Sequence, residues 1–401
     1  MCFIRLKKNL LKDFSPYKLI NHFMKIGIVC YPTFGGSGIV ATELGHALAN
    51  KGHEVHFITY DQPVRLDIMD KNIYYHEVNV HVYPLFDYQP YELALSSQMV
   101  ETVISRKLDV LHVHYAIPHA YAAFMARQIL KDRGINISVV TTLHGTDITL
   151  VGKQPSYLPA VKFSIEHSCA VTAVSQSLKE DTITNFSTNK EITVIPNFID
   201  ISLYTSKSRL SNQLAEEGEF VISHISNFRP LKRTKDVMKI FAGIRKEVKA
   251  KLILMGDGPD RDQTLQIAKD LGIEEDVKYL GKTNEVERVL CMSDLFLLPS
   301  SSESFGLAAL EAMAAKVPVI STNTGGLPEV NIDGVTGYAS SVGDVTDMIK
   351  NSLRILQNPV LKSKLSQNAF DRAKEFDISN VVPMYEEVYK KVIESTKKQL
   401  G

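Results

Sequence analysis

Short apolar runs alternate along the chain with longer segments in which apolar residues recur every three to four positions. The short runs predict buried parallel strands, and the periodic segments, such as residues 40–51 and 119–131, predict helices between them. In the first half, the predicted strands are residues 26–30, 54–59, 78–82, 110–114, 138–142, 170–174 and 192–195. This alternation is typical of an α/β fold with a parallel sheet.

The same alternation restarts in the second half, with predicted strands at residues 220–226, 251–255, 277–280, 295–299 and 317–321. We therefore predict two Rossmann-like, doubly wound domains, residues 24–196 and 197–378, that face a cleft. Ligands of such domains bind at the carboxyl ends of the strands. Residues 379–401 predict a C-terminal helix that we expect to pack back on the first domain.

Composition supports two domains and excludes several classes of protein. The chain has 401 residues, with 45 basic and 45 acidic side chains that cancel, so no nucleic-acid footprint is indicated. Its four cysteines form no Cys-x-x-Cys pair, which argues against a zinc cluster and fits reduced thiols in a cytoplasm. No apolar run approaches the roughly 20 residues that span a bilayer. A homo-oligomer is left open.

Residues 1–23 are basic and only weakly apolar, unlike a secretory signal peptide. Met24 directly precedes the first predicted strand. We interpret residues 1–23 as an upstream extension, which a mis-assigned start codon would explain. A membrane-surface helix is the alternative.

Two carboxylates flank a glycine after the predicted strand at residues 295–299. Glu303 precedes Gly306, and Glu311 follows it by five residues. If Gly306 opens a helix, free backbone N–H groups there favour an anion, with one carboxylate on each side. This arrangement suits a nucleotide sugar, whereas an ordinary helix with exposed acids is the alternative.

Small residues follow the first predicted strand, at Gly35, Gly36, Ser37 and Gly38. Glycines at a strand-to-helix turn let the backbone approach a ligand closely, although a purely structural turn is the alternative. The pattern is not Gly-x-Gly-x-x-Gly, which weakens the hypothesis of a dinucleotide-binding dehydrogenase.

Other predicted strands also end in polar residues. His144 and Asp147 follow the strand at residues 138–142, and both could face a cleft. Neither a Ser-His-Asp triad nor a His-Glu-x-x-His zinc motif can be assembled, so a hydrolase is not supported. His112 and His114 could bind a metal, but no third ligand is identifiable.

Four cations follow the strand at residues 220–226, among them Arg229 and Lys232. They are placed to neutralise a diphosphate, with a solvated helix start as the alternative. Gly256, after the strand at residues 251–255, could approach a base or ribose, or could serve only the turn.

Together these motifs, in this order, resemble the retaining nucleotide-sugar glycosyltransferases of the GT-B fold, family four. The segments at residues 30–38, 113–119, 141–147 and 226–233 resemble the members of bacillithiol biosynthesis. The resemblance implies transfer of N-acetylglucosamine from the co-substrate UDP-GlcNAc to the hydroxyl of L-malate, with retention of the α configuration. It implies no other cofactor and no metal.

The resemblance also implies roles for individual residues. Those implied to take part in the transfer are Lys232, Arg229, His144, Asp147 and Glu303. Those implied to bind the donor are Asn227, Phe305, Gly306, Leu307, Glu311 and Gly256. Those implied to bind the acceptor are Gly35, Gly36, Ser37, Gly38, Tyr115 and Thr142.

Within this scheme Lys232, helped by Arg229, stabilises the charge on departing UDP. Glu311 holds the ribose hydroxyls, and Glu303 holds a hydroxyl of the donor sugar. Many family members carry arginine five residues before this lysine, where the chain has Asn227, so the identity of the second cation is open.

The sequence leaves two alternatives to this function open. One is a family-four transferase with another acceptor, such as an inositol phosphate, a lipid or a sugar. The other is a protein that binds a nucleotide without catalysing transfer.

Overall fold

A computed structural model of the chain describes residues 23–33, 35–205 and 214–398. Apart from Phe23, the predicted N-terminal extension lies outside these residues. Within them, two parallel sheets follow one another along the chain, each flanked by helices.

The first sheet has seven parallel strands in the order β3-β2-β1-β4-β5-β6-β7. Its strands are β1 Lys25–Val29, β2 Glu54–Thr59, β3 Ile73–Glu77, β4 Val110–His114, β5 Ser138–Leu143, β6 Ala170–Ala173 and β7 Ile192–Val194. The α-helices of this half are α1 Gly36–Asn50, α2 Tyr91–Arg106, α3 Tyr121–Asp132, α4 Leu158–His167, α5 Gln176–Phe186 and α6 Ser202–Thr205. The central strands are almost wholly buried, as expected for strands with helices on both faces.

The second sheet has six parallel strands in the order β10-β9-β8-β11-β12-β13. Its strands are β8 Phe220–Ile225, β9 Ala250–Met255, β10 Val277–Tyr279, β11 Leu295–Leu298, β12 Val319–Thr322 and β13 Gly337–Ser340. The α-helices are α7 Thr234–Arg245, α8 Arg261–Asp270, α9 Val286–Met292, α10 Leu307–Ala314, α11 Leu327–Val330, α12 Val345–Leu356, α13 Pro359–Glu375 and α14 Ile378–Lys398.

Both sheets reverse their strand order beside the first strand of the domain. In the first sheet the reversal lies between β1 and β4, and in the second between β8 and β11. At such a switch point the connections leave in opposite directions, which opens a crevice at the carboxyl ends of the two strands. A ligand site is therefore expected among the residues that follow these four strands.

Eleven predicted strands are present, with ends that differ by at most two residues. The predicted strand at residues 78–82 is wrong, because the edge strand is Ile73–Glu77 and Val82 is exposed. Ile73 is the only fully buried residue of this strand, so the continuous apolar run that identifies a central strand is missing. A second edge strand, β13 of the other sheet, has no counterpart among the predictions because its four residues, Gly-Tyr-Ala-Ser, carry no strand pattern.

The C-terminal helix α14 packs against the first sheet rather than the second. Its buried Tyr385 and Tyr389 belong to one hydrophobic core with Ile26, Phe57 and Val140 of the first domain. The chain therefore crosses back at its end, which ties the two domains together. The predicted domain boundaries themselves stay a prediction.

Candidate active site

Loops from both domains meet at the carboxyl ends of the central strands. A Cβ atom on Gly36 would lie 3.4 Å from Leu307 Cδ2, and one on Gly145 would lie 1.6 Å from Ser304 Oγ. Ser175 donates its hydroxyl to the Ser304 carbonyl at 2.6 Å. Since Gly36, Gly145 and Ser175 belong to the first domain, the predicted acceptor and donor loops come together at one cleft.

Gly306 begins helix α10 through a left-handed turn. Its φ is +99°, and a Cβ atom there would lie 2.6 Å from Leu327 Cδ2, so both conformation and space require glycine. The helix starts at Leu307, so its first N–H groups lack helical partners close to the end of β11. Phe305 is buried and packs edge-on against Phe376, with ring centroids 5.6 Å apart. The turn is thus anchored in the core and presents an anion-binding helix end.

A lysine and a glutamate pair across the switch point of the second sheet. Lys232 Nζ lies 2.5 Å from Glu303 Oε1, and the Ser300 hydroxyl donates to the same oxygen at 2.8 Å. The two charged side chains are only 17% and 12% exposed. The pair holds a cation beside the start of α10, while Glu303 Oε2 takes part in neither contact. Ser300 is a residue that sequence reasoning missed, although its place two residues after β11 is a usable signal.

Glu311 lies on the second turn of α10 and is partly buried. Burial raises its pKa from an ordinary 4.5 to about 7, while nearby Arg65 opposes the rise and nearby Glu287 adds to it. Arg65 comes from the first domain and pairs with Glu287 of the second, with Nη2 and Oε1 3.2 Å apart. Sequence reasoning missed this interdomain pair because its partners lie far apart along the chain.

The loops after β8 and β9 supply the remaining predicted donor residues. Asn227 and Arg229 are exposed. Burial raises the pKa of the Tyr115 hydroxyl in the first domain, whereas its hydrogen bond to Ser37 and, more weakly, the positive charge of Arg229 lower that pKa. Gly256 has φ +103°, and a Cβ atom there would lie 1.8 Å from the Ser226 carbonyl oxygen. Glycine is therefore required for packing, and its contact with a ligand stays a prediction.

Tyr115 and Ser37 form a hydrogen-bonded pair on the acceptor side. The Tyr115 hydroxyl donates to Ser37 Oγ at 2.7 Å. Ser37 and Gly36 are the first two residues of α1, where backbone N–H groups have no helical partners. This places hydroxyl and amide groups together near the end of β1.

Gly38 has a different part in the same loop from the one implied. Its N–H donates to the Gly35 carbonyl at 3.0 Å. A Cβ atom on Gly38 would lie 2.5 Å from the Thr33 carbonyl oxygen. The N–H of Gly38 is therefore engaged in the turn that presents Gly36 and Ser37, and the implied amide contact between Gly38 and an acceptor stays a prediction that this geometry does not favour.

Comparison with known proteins agrees with this geometry. The family model of glycosyltransferase family 4 matches residues 34–203, and that of glycosyl transferases group 1 matches residues 206–372. The chain is 47% identical to N-acetyl-alpha-D-glucosaminyl L-malate synthase of Bacillus anthracis, over 93% of this chain and 98% of the relative. The chain belongs to glycosyltransferase family 4. An uncharacterised glycosyltransferase of Methanocaldococcus jannaschii is 29% identical over 79% of this chain and 85% of its own.

Solved structures confirm the GT-B fold of this glycosyltransferase. Anabaena HepE, solved in complex with UDP and glucose, superposes with a TM-score of 0.77 at 21% identity and covers 92% of this chain and 99% of its own. The lipopolysaccharide glycosyltransferase WaaG superposes with a TM-score of 0.72 at 16% identity, over 91% of this chain and 99% of its own. The alternative of a nicotinamide-dependent dehydrogenase is wrong.

His144 and Asp147 of the glycosyltransferase share one loop but differ in environment. The Asp147 carboxylate is buried and accepts the backbone N–H of Ala116 at 2.8 Å and of Gly145 at 3.1 Å. Burial raises its pKa from 3.8 to about 6, against these hydrogen bonds. Asp147 therefore fixes the loop, whereas His144 is partly exposed beside Tyr115, with ring centroids 5.1 Å apart.

The Thr142 hydroxyl is enclosed in the first domain. It lies 2.7 Å from His112 Nε2 and 2.7 Å from Thr172 Oγ1, and Thr142 is fully buried. The geometry does not support the implied contact of this hydroxyl with an acceptor, because the side chain is fully buried and its hydroxyl is engaged with two neighbours. His112 Nδ1 is 2.7 Å from the Tyr389 hydroxyl, so both ring nitrogens of His112 are engaged and the alternative of a metal at this histidine is unsupported.

The domains of the glycosyltransferase also meet at the start of α5. Both carboxylate oxygens of Glu329 accept backbone N–H groups there, from Gln176 at 2.9 Å and from Ser177 at 2.8 Å. A carboxylate at a helix N-terminus satisfies donors that lack helical partners and is favoured by the helix dipole. Like the Ser175–Ser304 contact, this interdomain link carries no local sequence signal.

Neither a metal-binding cluster nor a membrane-spanning helix is present in the described parts of the chain, residues 23–33, 35–205 and 214–398. No group of three or more His, Cys, Asp or Glu residues there could hold a metal ion. No helix there is long and apolar enough to cross a membrane. The expectation that the reaction needs no metal stays a prediction.

Proposed function

We propose that this glycosyltransferase transfers N-acetylglucosamine from UDP-GlcNAc to the hydroxyl of L-malate, with retention of configuration, as the first step of bacillithiol biosynthesis. The observation that carries this proposal is the 47% identity, over nearly the full length of both chains, to the malate synthase of Bacillus anthracis. The geometry of the cleft supports it, because cationic and amide groups of the second domain oppose hydroxyl and amide groups of the first.

The donor would lie along the end of the second sheet. Backbone N–H groups at Phe305, Gly306 and Leu307 would bind its diphosphate at the start of α10. Glu311, one turn further, would hold the ribose hydroxyls. Glu303 engages Lys232 through Oε1 alone, so its second oxygen is placed to accept a hydroxyl of the sugar.

The acceptor would lie against the start of α1. Malate carries two carboxylates and one hydroxyl, and the N–H groups of Gly36 and Ser37 suit one carboxylate. The hydrogen-bonded Tyr115–Ser37 pair adds two hydroxyls, and Arg229 adds positive charge from the other domain. Together these groups favour a small anionic acceptor over an apolar one.

The chemistry would be a front-face substitution. The bond from the anomeric carbon to the phosphate oxygen breaks, the bond to the malate hydroxyl oxygen forms on the same face, and the hydroxyl proton passes to the departing phosphate. Such a reaction needs positioning and stabilisation of the leaving charge, which Lys232 supplies. Asp147 is not placed as a nucleophile for double displacement, because it is buried and its oxygens face the backbone N–H groups of Ala116 and Gly145.

Closure of the two domains would exclude water and so favour transfer over hydrolysis. The cations of the loop after β8 would neutralise the diphosphate, so we expect activity in the presence of EDTA. The enzyme would work in the cytoplasm, where its scattered cysteines stay reduced. It could form a homo-oligomer without change to this scheme.

An acceptor panel tests the proposal. Purified protein is incubated with UDP-GlcNAc and, in separate reactions, L-malate, D-malate, an inositol phosphate or no acceptor, and UDP release is followed. We expect release that depends on L-malate. Release with inositol phosphate and none with L-malate would assign the enzyme to another acceptor, and the absence of any acceptor-dependent release would favour a nucleotide-binding protein without transfer activity.

Two variants locate the acceptor within the cleft. Ser37→Ala and Tyr115→Phe should each raise KM for L-malate by about 10-fold, since each removes a hydrogen bond worth roughly 1 to 2 kcal/mol. KM for UDP-GlcNAc should change little. Tyr121→Phe, at an exposed tyrosine on α3, serves as the matched control. A change confined to KM for UDP-GlcNAc would put this pair on the donor side.

A further inference from the structure

A column of histidine rings lies beneath the cleft in the first domain. The ring centroids of His112 and His114 are 4.4 Å apart, and those of His114 and His144 are 5.0 Å apart with ring planes that differ by 22°. His114 is fully buried, whereas His144 is partly exposed. One hydrogen bond joins the last two rings, between His114 Nδ1 and His144 Nε2 at 2.8 Å.

Both of the joined rings are neutral at physiological pH. Burial, with a smaller contribution from nearby His119, lowers the pKa of His144 from 6.5 to about 3. Burial also lowers the pKa of His114 well below its ordinary value, with smaller contributions from His112, His144 and His119. A neutral imidazole carries one N–H, so a single proton must lie between His114 Nδ1 and His144 Nε2.

The surroundings of His114 decide which ring holds that proton. Among the described residues, His114 Nε2 is buried without a hydrogen-bond partner. If His144 donated the shared proton, the proton of neutral His114 would sit on Nε2 as a buried N–H with nothing to bind. If His114 donates through Nδ1, its Nε2 is only an unused lone pair. Orphaned buried N–H groups are rarer in proteins than under-used acceptors, so the second arrangement is favoured.

We propose that His114 is a positioning residue that donates to His144 Nε2 and so holds His144 as its neutral Nδ1–H tautomer, with that N–H offered to a substrate oxygen. His144 then acts as an uncharged donor to a hydroxyl or carboxylate oxygen of the bound substrates. This assignment deepens the proposed function and rests on it for the identity of that oxygen. The tautomer itself does not depend on which acceptor is used.

Histidine ring ¹⁵N NMR on the full-length, ligand-free protein tests the tautomer. The expected spectrum of His144 shows a protonated, pyrrole-like Nδ1 and a bare, pyridine-like Nε2. A proton on Nε2 of His144 in the wild type would overturn the proposal. Since this measurement needs neither substrate, its failure is distinguishable from failure of the malate assignment.

Variants connect the tautomer to turnover. In His114→Asn the side-chain amide can still donate near the position of Nδ1, so we expect the His144 tautomer to be kept and kcat to fall by less than about 10-fold. In His114→Leu the donor is lost, and we expect a mixture of tautomers and a kcat lower by about 10²-fold at little change in KM for UDP-GlcNAc. His56→Leu removes another buried histidine of the same sheet, and its turnover should stay near that of the wild type.

Equal turnover of His114→Leu and His114→Asn would contradict the positioning role. A His114→Leu chain that fails to fold leaves the test intact, because the wild-type spectrum and the His114→Asn variant still decide it.

Discussion

Replacement of Lys232 by alanine tests whether its positive charge takes part in catalysis or only stabilises the fold. Lys232 Nζ lies 2.5 Å from Glu303 Oε1, and the two side chains are 17% and 12% exposed, so water screens the pair only in part. If Lys232 stabilises the charge on departing UDP, its loss should lower kcat by about 10² to 10³, or about 2.7 to 4 kcal/mol. It should also leave the Glu303 charge without its cation, with the Ser300 hydroxyl as its remaining contact, at a cost of roughly 1 to 3 kcal/mol in stability.

A double variant distinguishes these effects. Adding Glu303→Gln to Lys232→Ala removes the unpaired charge, so the melting temperature should recover while kcat stays low. The assays are UDP release at saturating substrates and thermal unfolding of the same samples. Lys269→Ala, at an exposed lysine near the end of α8, is the matched control and should keep wild-type turnover. Unchanged kcat in Lys232→Ala, or full recovery of kcat in the double variant, would refute the catalytic role of Lys232.

Four further predictions concern the same cleft and the contacts between the domains around it. Because burial raises the pKa of Glu311 from 4.5 to about 7, UDP affinity measured by calorimetry should fall below about pH 7 in the wild type but not in Glu311→Gln. The same dependence of UDP affinity on pH in both proteins would contradict the contact between Glu311 and the ribose. Because a raised carboxyl pKa costs stability as the pH rises from 4.5 through about 7, Glu311→Gln should raise the melting temperature at pH 8 but not at pH 4. In Gly145→Ala the new Cβ atom would lie 1.6 Å from a side-chain oxygen of the other domain, so kcat/KM should fall by about 10²-fold. The control Gly134→Ala, at φ +74° with open space around it, should lose stability but keep its kcat/KM. Glu329→Ala should speed amide exchange at Gln176 without changing exchange in α3, and unaltered protection there would show that the interdomain contact is dispensable.

The central strands and the turns after them could be predicted from the sequence because their signals are local. A buried parallel strand is a continuous apolar run, and Gly306 stands between such a run and an apolar helix. The prediction fails at two of the four edge strands, β3 and β13, which lack that run, and holds at the other two, β7 and β10. Every strand inside the two sheets is predicted, so the errors of the local pattern lie at the sheet edges.

The candidate site was predictable in its location but not in its pairings. Lys232 and Glu303 both follow strand ends, yet they are 71 residues apart, and no local pattern indicates that they form an ion pair. The Arg65–Glu287 pair spans 222 residues and depends on how the domains meet. In the sequence, His114 is one of two histidines on a predicted strand. Its contact with His144 depends on the register in which β4 pairs with β5, which the sequence pattern does not give.

Burial also changes what a residue can do. Asp147 follows a predicted strand, and Thr142 is implied by the family resemblance, so both are candidates for ligand contact. In the fold their oxygens are engaged within the first domain, so Asp147 fixes a loop and Thr142 belongs to a buried network. Whether a polar side chain at a strand end faces the cleft or the interior depends on tertiary packing, which a single strand pattern does not contain.

Product analysis tests the central claim most directly. Purified protein is given UDP-GlcNAc and L-malate, and the product is examined by mass spectrometry and by proton NMR of the anomeric centre. The account predicts one N-acetylglucosamine joined in α linkage to the malate hydroxyl, with one UDP released for each product molecule. A β-linked product, linkage through a malate carboxylate, or the appearance of free N-acetylglucosamine alone would contradict it.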